Sequence, residues 1–352
     1  IWADPDLFGG PAAAHLGHVA GLEVIALDAP HLFHREGGIY AGAQGDYPDN
    51  PERFAALCWA AAEIAHTGGS DGWRPGILHA HDWQGGLAPA YLYYHGQPGP
   101  KSVLTIHNIA FQGITGAERL SALRLPPEAF DKEAAEYWGN ISTLKLGLVT
   151  ADAITTVSPT YAGELMRPEF GMGLEGVIAA RAQDLHGILN GVDETIWSPE
   201  HDAAITPYSA RSLKGKAANR AQLGAEFGLG EVPGPLAVVV SRLTWQTGID
   251  LLAGALPDFI AAGGGLVLLG SGDTELEEAM RRAAHIWPDR VAVRIGYDEA
   301  LAHRLIAGGD AVLVHAPCAP WRRTPRGGVG WGRGPVSPYT AADDLPVPAV
   351  HE

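Results

Sequence analysis

Cysteine is nearly absent from this chain: Cys58 and Cys318 stand far apart in different halves of its 352 residues. Two thiols so placed offer neither a disulfide framework nor a zinc-ligand spacing. No apolar run approaches the ~18 residues of a membrane span, and no basic stretch followed by an apolar one opens the chain. A cytoplasmic protein with no membrane partner is therefore expected, starting at an internal point of a longer natural one. Basic residues are also scarce, with 24 Lys and Arg against 40 Asp and Glu, a formal charge of -16. That balance disfavours nucleic acid and anionic membranes, which demand a basic footprint. A neutral polymer is indifferent to it, whereas an anionic small molecule needs individual local cations. The histidines are scattered without HExxH or CxxC spacing, so no metal and no cofactor are expected, and no GxSxG elbow supports hydrolase chemistry.

What is present is enough hydrophobic residue, 46%, to bury a sizeable core, and the length favours two domains. Leu22 to Leu27 (LEVIAL) reads as a short buried strand, and the Gly/Pro/Asp-rich stretch from Gly37 to Pro51 as a loop. Arg53 to His66 reads as a helix with Phe54, Leu57, Ala61 and Ile64 on one face. Ile77 and Leu78 end a strand, the polar cluster His79, His81, Asp82, Trp83 follows at once, and a helix begins near Leu87. Strand Lys101 to Ile106 ends in His107 and Asn108, and one or two helices occupy Pro126 to Gly147. Strand Ala153 to Val157 precedes Ser158, an N-cap with Pro159 at the first helical position. A strand from Gly187 to Leu189 runs into the turn dipeptide Asn190, Gly191.

Residues 192–234 turn polar and irregular, with a helix from Ser209 to Leu223, and read as an interdomain link. Strand Leu236 to Val240, helix Ile249 to Leu256, the strand of GGGLVLLGSGD with Asp273 or Thr274 as cap, helix Glu299 to Ile306 and strand Ala311 to Val314 repeat the alternation. Strand, polar tip and helix in repetition imply an α/β fold built from parallel sheets with helices on both faces. Residues 315–352 carry seven prolines and five glycines, a composition that predicts disorder and no core strand.

In open α/β sheets ligands bind outside the carboxyl ends of the strands, so polar tips in both halves predict a cleft with one partner bound by each domain. Each tip also has a plainer reading. HAHDW fits either a site or an imidazole paired with Asp82 beside a packed Trp83, and His107 either a ligand group or a hydrogen-bonded histidine at a sheet edge. Arg242 after Ser241 matches a phosphate-binding tip, since a fixed guanidinium offers paired donors, or a surface charge. Gly270 and Gly272 of GSGD do not form the dinucleotide fingerprint GxGxxG, and fit either a phosphate or ribose loop or a plain tight turn. Tyr297 either stacks on a base or closes the core.

Eight segments in order, from about Gly21 to Val314, resemble the bacterial glycogen synthases and plant starch synthases: DNPERFAALCWAA, WRPGILHAHDWQGGLAPAYL, SVLTIHNIAFQG, ADAITTVSPTYAGEL, GILNGVDETIWSPEHD, VVVSRLTWQTGIDLL, LLGSGD and IGYDEALAHRLIAGGDAVLV. The resemblance implies a GT-B fold, two Rossmann-like doubly wound domains around a cleft, both incomplete here. It divides the chain into an acceptor-side domain at 1–191, a link at 192–234, a partial nucleotide-sugar domain at 235–314 and the atypical tail. It implies transfer of glucose from ADP-glucose to the 4-OH end of an α-1,4-glucan with retention, by front-face displacement without a metal. Asp82 and Trp83 would line the glucosyl and acceptor region, and His107 and Asn190 would lie against the donor glucose. Arg242 would meet the leaving diphosphate, Gly270 and Gly272 the donor, and Tyr297 the adenine. Departure of ADP builds negative charge on phosphate and oxocarbenium character on the sugar, which fixed cations stabilise.

Three departures from the family stand out. The glycine loop KTGGLADV would lie before Ile1. The loop after SRL usually reads QKG, and here Thr247 replaces its lysine. After Val314 the family reads PSRFEPCGLTQ, whereas this chain places Ala319 at the glutamate position. A frame slip near Val314 and a chain unable to turn over are the expectations that follow. The alternatives are another retaining GT-B glucosyltransferase and a non-catalytic glucan-binding protein using Trp83 and Phe111; a phosphorylase is disfavoured because no pyridoxal-bearing lysine motif is visible.

Overall fold

The computed structural model describes residues 1–70, 72–96, 99–209 and 211–313, with the backbone of Pro335–Val336. It resolves into two compact units, Ile1–Leu189 and a second that begins at Asn190. Among the described residues no helix is long and apolar enough to cross a membrane.

The first unit opens with an antiparallel sheet of β1 (Trp2–Asp4), β2 (Ala12–Val19) and β3 (Leu22–Asp28). The LEVIAL run read as buried is β3, and it is largely exposed, with Leu22 at 69%. Its apolar residues reflect β-branched fit to a twisted hairpin rather than core burial, a distinction a short apolar run does not carry.

Helix α1 (Asn50–Thr67) buries Ala55, Ala56, Cys58, Ala60, Ala62, Ile64 and Ala65. Of the face expected from Phe54, Leu57, Ala61 and Ile64 only Ile64 is buried, and Leu57 is exposed. Alanines bury little area each but let helix axes approach closely, so small residues rather than large ones mark the packed face. Burial pushes the Cys58 thiol up to about 12, so it stays protonated and donates to the Gln84 carbonyl at 3.0 Å.

The rest of this unit is built on a parallel sheet. β4 (Ile77–His81) is followed by the one-turn α2 (Asp82–Gly85) and α3 (Leu87–His95); then come β5 (Lys101–Ile106), α4 (Thr143–Thr150), β6 (Ala153–Thr156), α5 (Pro159–Leu165) and β7 (Leu185–Gly187). The strand order is β7-β6-β5-β4. Ser142 and Ser158 cap α4 and α5, each accepting an amide proton three residues on, and Ser158 with Pro159 at the first helical position is the cap expected from the sequence. β7 ends at Gly187, two residues before the expected strand end.

The second unit is doubly wound. Its elements are α6 (Lys214–Phe227), β8 (Leu236–Val240), α7 (Ile249–Ala261), β9 (Gly265–Gly270), α8 (Thr274–Ile286), β10 (Val291–Ile295), α9 (Glu299–Gly308) and β11 (Ala311–Leu313). With β12 (Pro335–Val336) the parallel order is β10-β9-β8-β11-β12. Strand residues alternate between two cores: Ala237, Val239, Leu266 and Leu268 meet Leu252, Leu256 and Met280, while Leu236, Val238, Val267 and Leu269 meet Leu223, Leu301 and Leu305. Burying each such side chain contributes roughly 1.5–3 kcal/mol, so both faces of the sheet must be covered. The segment read as a link is folded onto this unit: Tyr208 packs on Ile306 and Ala307, and Asp202 accepts from His303 at 2.5 Å beneath a stacked Trp197. The remainder of 315–352, expected to be disordered, lies outside the described residues, as do Val314 and Ala319.

One close approach positions the site. A Cβ on Gly147 of α4 would stand 2.9 Å from both the Gly86 Cα and the Leu104 side chain, and one on Gly86 would meet the Thr143 carbonyl. Gly147→Ala is therefore expected to destabilise the protein by about 1–3 kcal/mol through overpacking, read as a lower midpoint in urea unfolding; an unchanged midpoint would contradict the close contact.

Candidate active site

In the first unit the parallel register sets Ile77, His79 and His81 on one face of β4 and buries Leu78 and Ala80 on the other. The chain then turns sharply at Asp82, whose φ of +50° lies in the left-handed region; Asp tolerates it better than most residues. That turn brings the carboxylate across to the end of β5, where its Oδ1 accepts the backbone N–H of His107 at 2.7 Å and of Asn108 at 3.3 Å. One carboxylate thus ties two strand ends together, and a hydrogen bond to an ionised acceptor is among the stronger kinds.

Trp83 is held rather than free. Its ring meets Phe54 edge-on at 4.8 Å and Tyr40 at 6.4 Å, and its carbonyl accepts from Thr143 Oγ1 at 3.0 Å. The IAFQG loop closes over it: a Cβ on Gly113, where φ is +61°, would lie 2.7 Å from the indole. Phe111 of that loop stays 48% exposed.

His107 extends the site. Its Nε2 lies 2.9 Å from His81 Nδ1, the His79 and His81 rings are 4.4 Å apart, and His79 Nε2 reaches Thr105 Oγ1 at 2.6 Å. Partial burial lowers the His81 pKa from its ordinary value, with His79 and His107 adding to the effect and Asp82 opposing it. Sequence reasoning placed His79 and His81 in the polar cluster without giving either a role. The HxH spacing is the signal, since period two sets both imidazoles on one strand face.

In the second unit Arg242, Gly270, Gly272 and Tyr297 come from the carboxyl ends of three adjacent strands, β8, β9 and β10. Arg242 is exposed. The glycines allow two loops to touch: a Cβ on Gly270 would strike the Ser241 carbonyl and one on Gly272 the Leu243 carbonyl. Leu243 donates to the Ser271 carbonyl at 3.0 Å and accepts from Asp273 N at 2.8 Å. The Gly272 N–H is engaged by Glu277 Oε1 at 3.0 Å. Tyr297 is 78% exposed, which removes the core-closing reading. Asn190 is half-buried and is the first residue of the second unit, whereas His107 belongs to the first.

Thr247 is buried at 6% exposure. Its hydroxyl lies 2.8 Å from the Arg242 carbonyl and 2.7 Å from the Thr244 carbonyl, and it accepts the Thr244 N–H at 3.2 Å. This residue is a staple of the loop that carries Arg242, a role no spacing in the sequence announces.

Removing the Asp82 carboxylate leaves two amides without their acceptor. Asp82→Ala is expected to cost about 1–3 kcal/mol in urea unfolding, and Asp82→Asn, which keeps an acceptor oxygen and tolerates the same backbone, markedly less. Equal losses would show that the carboxylate's hydrogen bonds are not what holds the two strand ends.

The starch synthase catalytic domain family matches residues 10–180. A glycogen synthase of Cereibacter sphaeroides is 60% identical over 340 residues, 97% of this chain and 70% of that protein. One of Paracoccus denitrificans is 55% identical over 337 residues, 96% of this chain and 70% of that protein. The catalytic domain of starch synthase IV from Arabidopsis thaliana, solved with ADP and acarbose, superposes with a TM-score of 0.82 at 27% identity, over 96% of this chain and 72% of that one. The sucrose-phosphate synthase of Thermosynechococcus elongatus, at 16% identity and a TM-score of 0.54 over 95% of this chain and 68% of that one, shares the fold. The chain belongs to the glycogen synthase and starch synthase family of glycosyltransferases, with the Rossmann-like domains of the GT-B fold.

Proposed function

We propose that this chain handles ADP-glucose as donor and the 4-OH end of an α-1,4-glucan as acceptor, in the cytoplasm. The observation that carries the reading is the placement of polar side chains at the carboxyl ends of parallel strands in both units. It comes in a chain 60% identical to a glycogen synthase, and strand ends are where α/β sheets bind ligands. The first unit, with Asp82 and Trp83, takes the acceptor side, and His107 and Asn190 address the donor glucose. The 235–314 domain takes the nucleotide, with Arg242 at the diphosphate, Gly270 and Gly272 beside the donor and Tyr297 at the adenine. The ADP seen in the Arabidopsis starch synthase IV structure supports that choice of nucleotide.

The chemistry is a displacement with retention. The bond from the anomeric carbon to the ADP oxygen breaks, the bond to the acceptor's 4-oxygen forms on the same face, and the 4-OH proton passes to the departing phosphate. Negative charge grows on the diphosphate, so a guanidinium fixed beside it is stronger in the transition state than in the ground state. Here the loop of Arg242 carries Thr247 where the family usually has lysine, and its hydroxyl is committed to backbone carbonyls. A neutral, inward-tied group leaves Arg242 as the loop's cation for the diphosphate, and turnover is correspondingly poor.

Incorporation of labelled glucose into glycogen from ADP-glucose, beside glycogen co-sedimentation, tests this reading. This chain is expected to bind glycogen and to transfer at least ~100-fold more slowly than a relative with lysine in that loop, the typical cost of one transition-state donor. Arg242→Ala should lower the remaining rate further by roughly 10²-fold. Transfer at the relative's rate would contradict the role given to Thr247; transfer from UDP-glucose alone would contradict the donor. Thr247→Val should lower the stability of the loop by about 0.5–2 kcal/mol, as lost caps do, visible as faster amide exchange at Thr244; unchanged exchange would show the staple to be dispensable.

A further inference from the structure

His81 lies at the end of β4, one residue before Asp82, and the proposed reaction gives it no task. Its Nδ1 stands 2.9 Å from Nε2 of His107. A hydrogen bond between two imidazole nitrogens holds one proton, so one of the facing nitrogens is a donor and the other a lone pair. Neutral histidine favours the tautomer protonated on Nε2. If His107 donates Nε2–H to Nδ1 of His81, both rings keep that form. The reverse arrangement puts both rings in the less favoured tautomer.

We propose that His81 is a positioning residue for His107: it accepts the Nε2 proton of His107, fixes the ring, and leaves Nδ1 of His107 as an acceptor for a hydroxyl of the donor sugar. This rests on the reading of His107 as the group that faces the donor glucose. The rest of the row supports the geometry from behind, because the His79 ring lies tilted against His81 at 4.4 Å and is itself tied to Thr105 Oγ1, which meets Thr155 Oγ1 at 2.6 Å. The ring that accepts is thereby backed by a hydrogen-bonded chain across β4, β5 and β6.

The arrangement exists only while His81 is neutral. The titratable groups facing it are His79 on β4, His107 past β5 and Asp82 on α2. Burial and the two imidazoles outweigh Asp82, so the neutral form persists below the ordinary imidazole value of ~6.5. Because the folded value is the depressed one, the stability this group contributes is present above the unfolded value and declines as pH falls below it towards the folded one. The acceptor on His81, and with it the hold on His107, is lost in the same direction.

The test uses the full chain with histidines labelled in nitrogen-15. A coupling across the hydrogen bond between the two facing nitrogens is expected at neutral pH, with the proton on Nε2 of His107, and it should vanish on acidification. His81→Phe should abolish the protected Nε2 proton and weaken ADP-glucose binding about tenfold, the effect of one misdirected hydrogen bond. His81→Asn, whose side-chain oxygen can accept at the same place, should restore most of both. A proton found on His81 Nδ1, or a His81→Phe variant that binds ADP-glucose like the wild type, would overturn the proposal. The coupling is read without ligand, so a wild-type chain that binds no ADP-glucose counts against the donor reading while the spectra still decide the pair.

Discussion

The first unit's site depends on one carboxylate. Asp82 accepts the amides of His107 and Asn108, and by doing so it makes two separate strand ends a single surface. It manages this from a left-handed backbone position, which turns its side chain across the sheet instead of along the strand. Everything placed next is referred to that tie: Trp83 is the following residue, fixed by Phe54, Tyr40 and the Thr143 hydroxyl, and His107 is the residue whose amide is bound. A carboxylate so used is occupied in building the site, and its negative charge also sits beside the imidazole row it organises.

The second unit reaches the same end by a different device. Two strand-end loops are pressed together until no side chain fits between them, so glycine is required at Gly270 and Gly272 on steric grounds. The loop carrying Arg242 is then closed by Thr247, whose hydroxyl is shared between two carbonyls. What these residues contribute is a fixed shape for the backbone around an arginine, and preorganisation of that kind is what electrostatic catalysis requires. The cost of having a threonine there is chemical, since no second cation accompanies the arginine from this loop.

Much of the fold could be read from residue pattern because it is written locally. Ser158 followed by Pro159 and the unbroken LAVVV and GLVLLG strands each carry their own signal, and the two-domain α/β reading follows from their alternation. The misses share a cause. LEVIAL looks like core but lies on an exposed hairpin, and Phe54 and Leu57 look like part of the packed face of α1 while its alanines and Ile64 are packed instead; in both cases the partner surface, absent from a local window, decides. The site divides in the same way. HDW and IHN are contiguous words, so Asp82, Trp83 and His107 stood out, whereas the His81–His107 bond and the Thr247 staple join residues that only the strand register or a tight loop brings together. The glycines of GSGD show their type in the sequence, but the reason for them is a neighbouring loop.

The most direct measurement is the structure of the product. The chain is incubated with ADP-glucose labelled with carbon-13 and a linear malto-oligosaccharide, and the new glycosidic linkage is read by NMR. An α-1,4 linkage at the non-reducing end, formed slowly and lost in Arg242→Ala, is the predicted result. A β linkage, another position of attachment, or a rate indifferent to Arg242 would contradict the assignment of the second unit's strand ends to the donor.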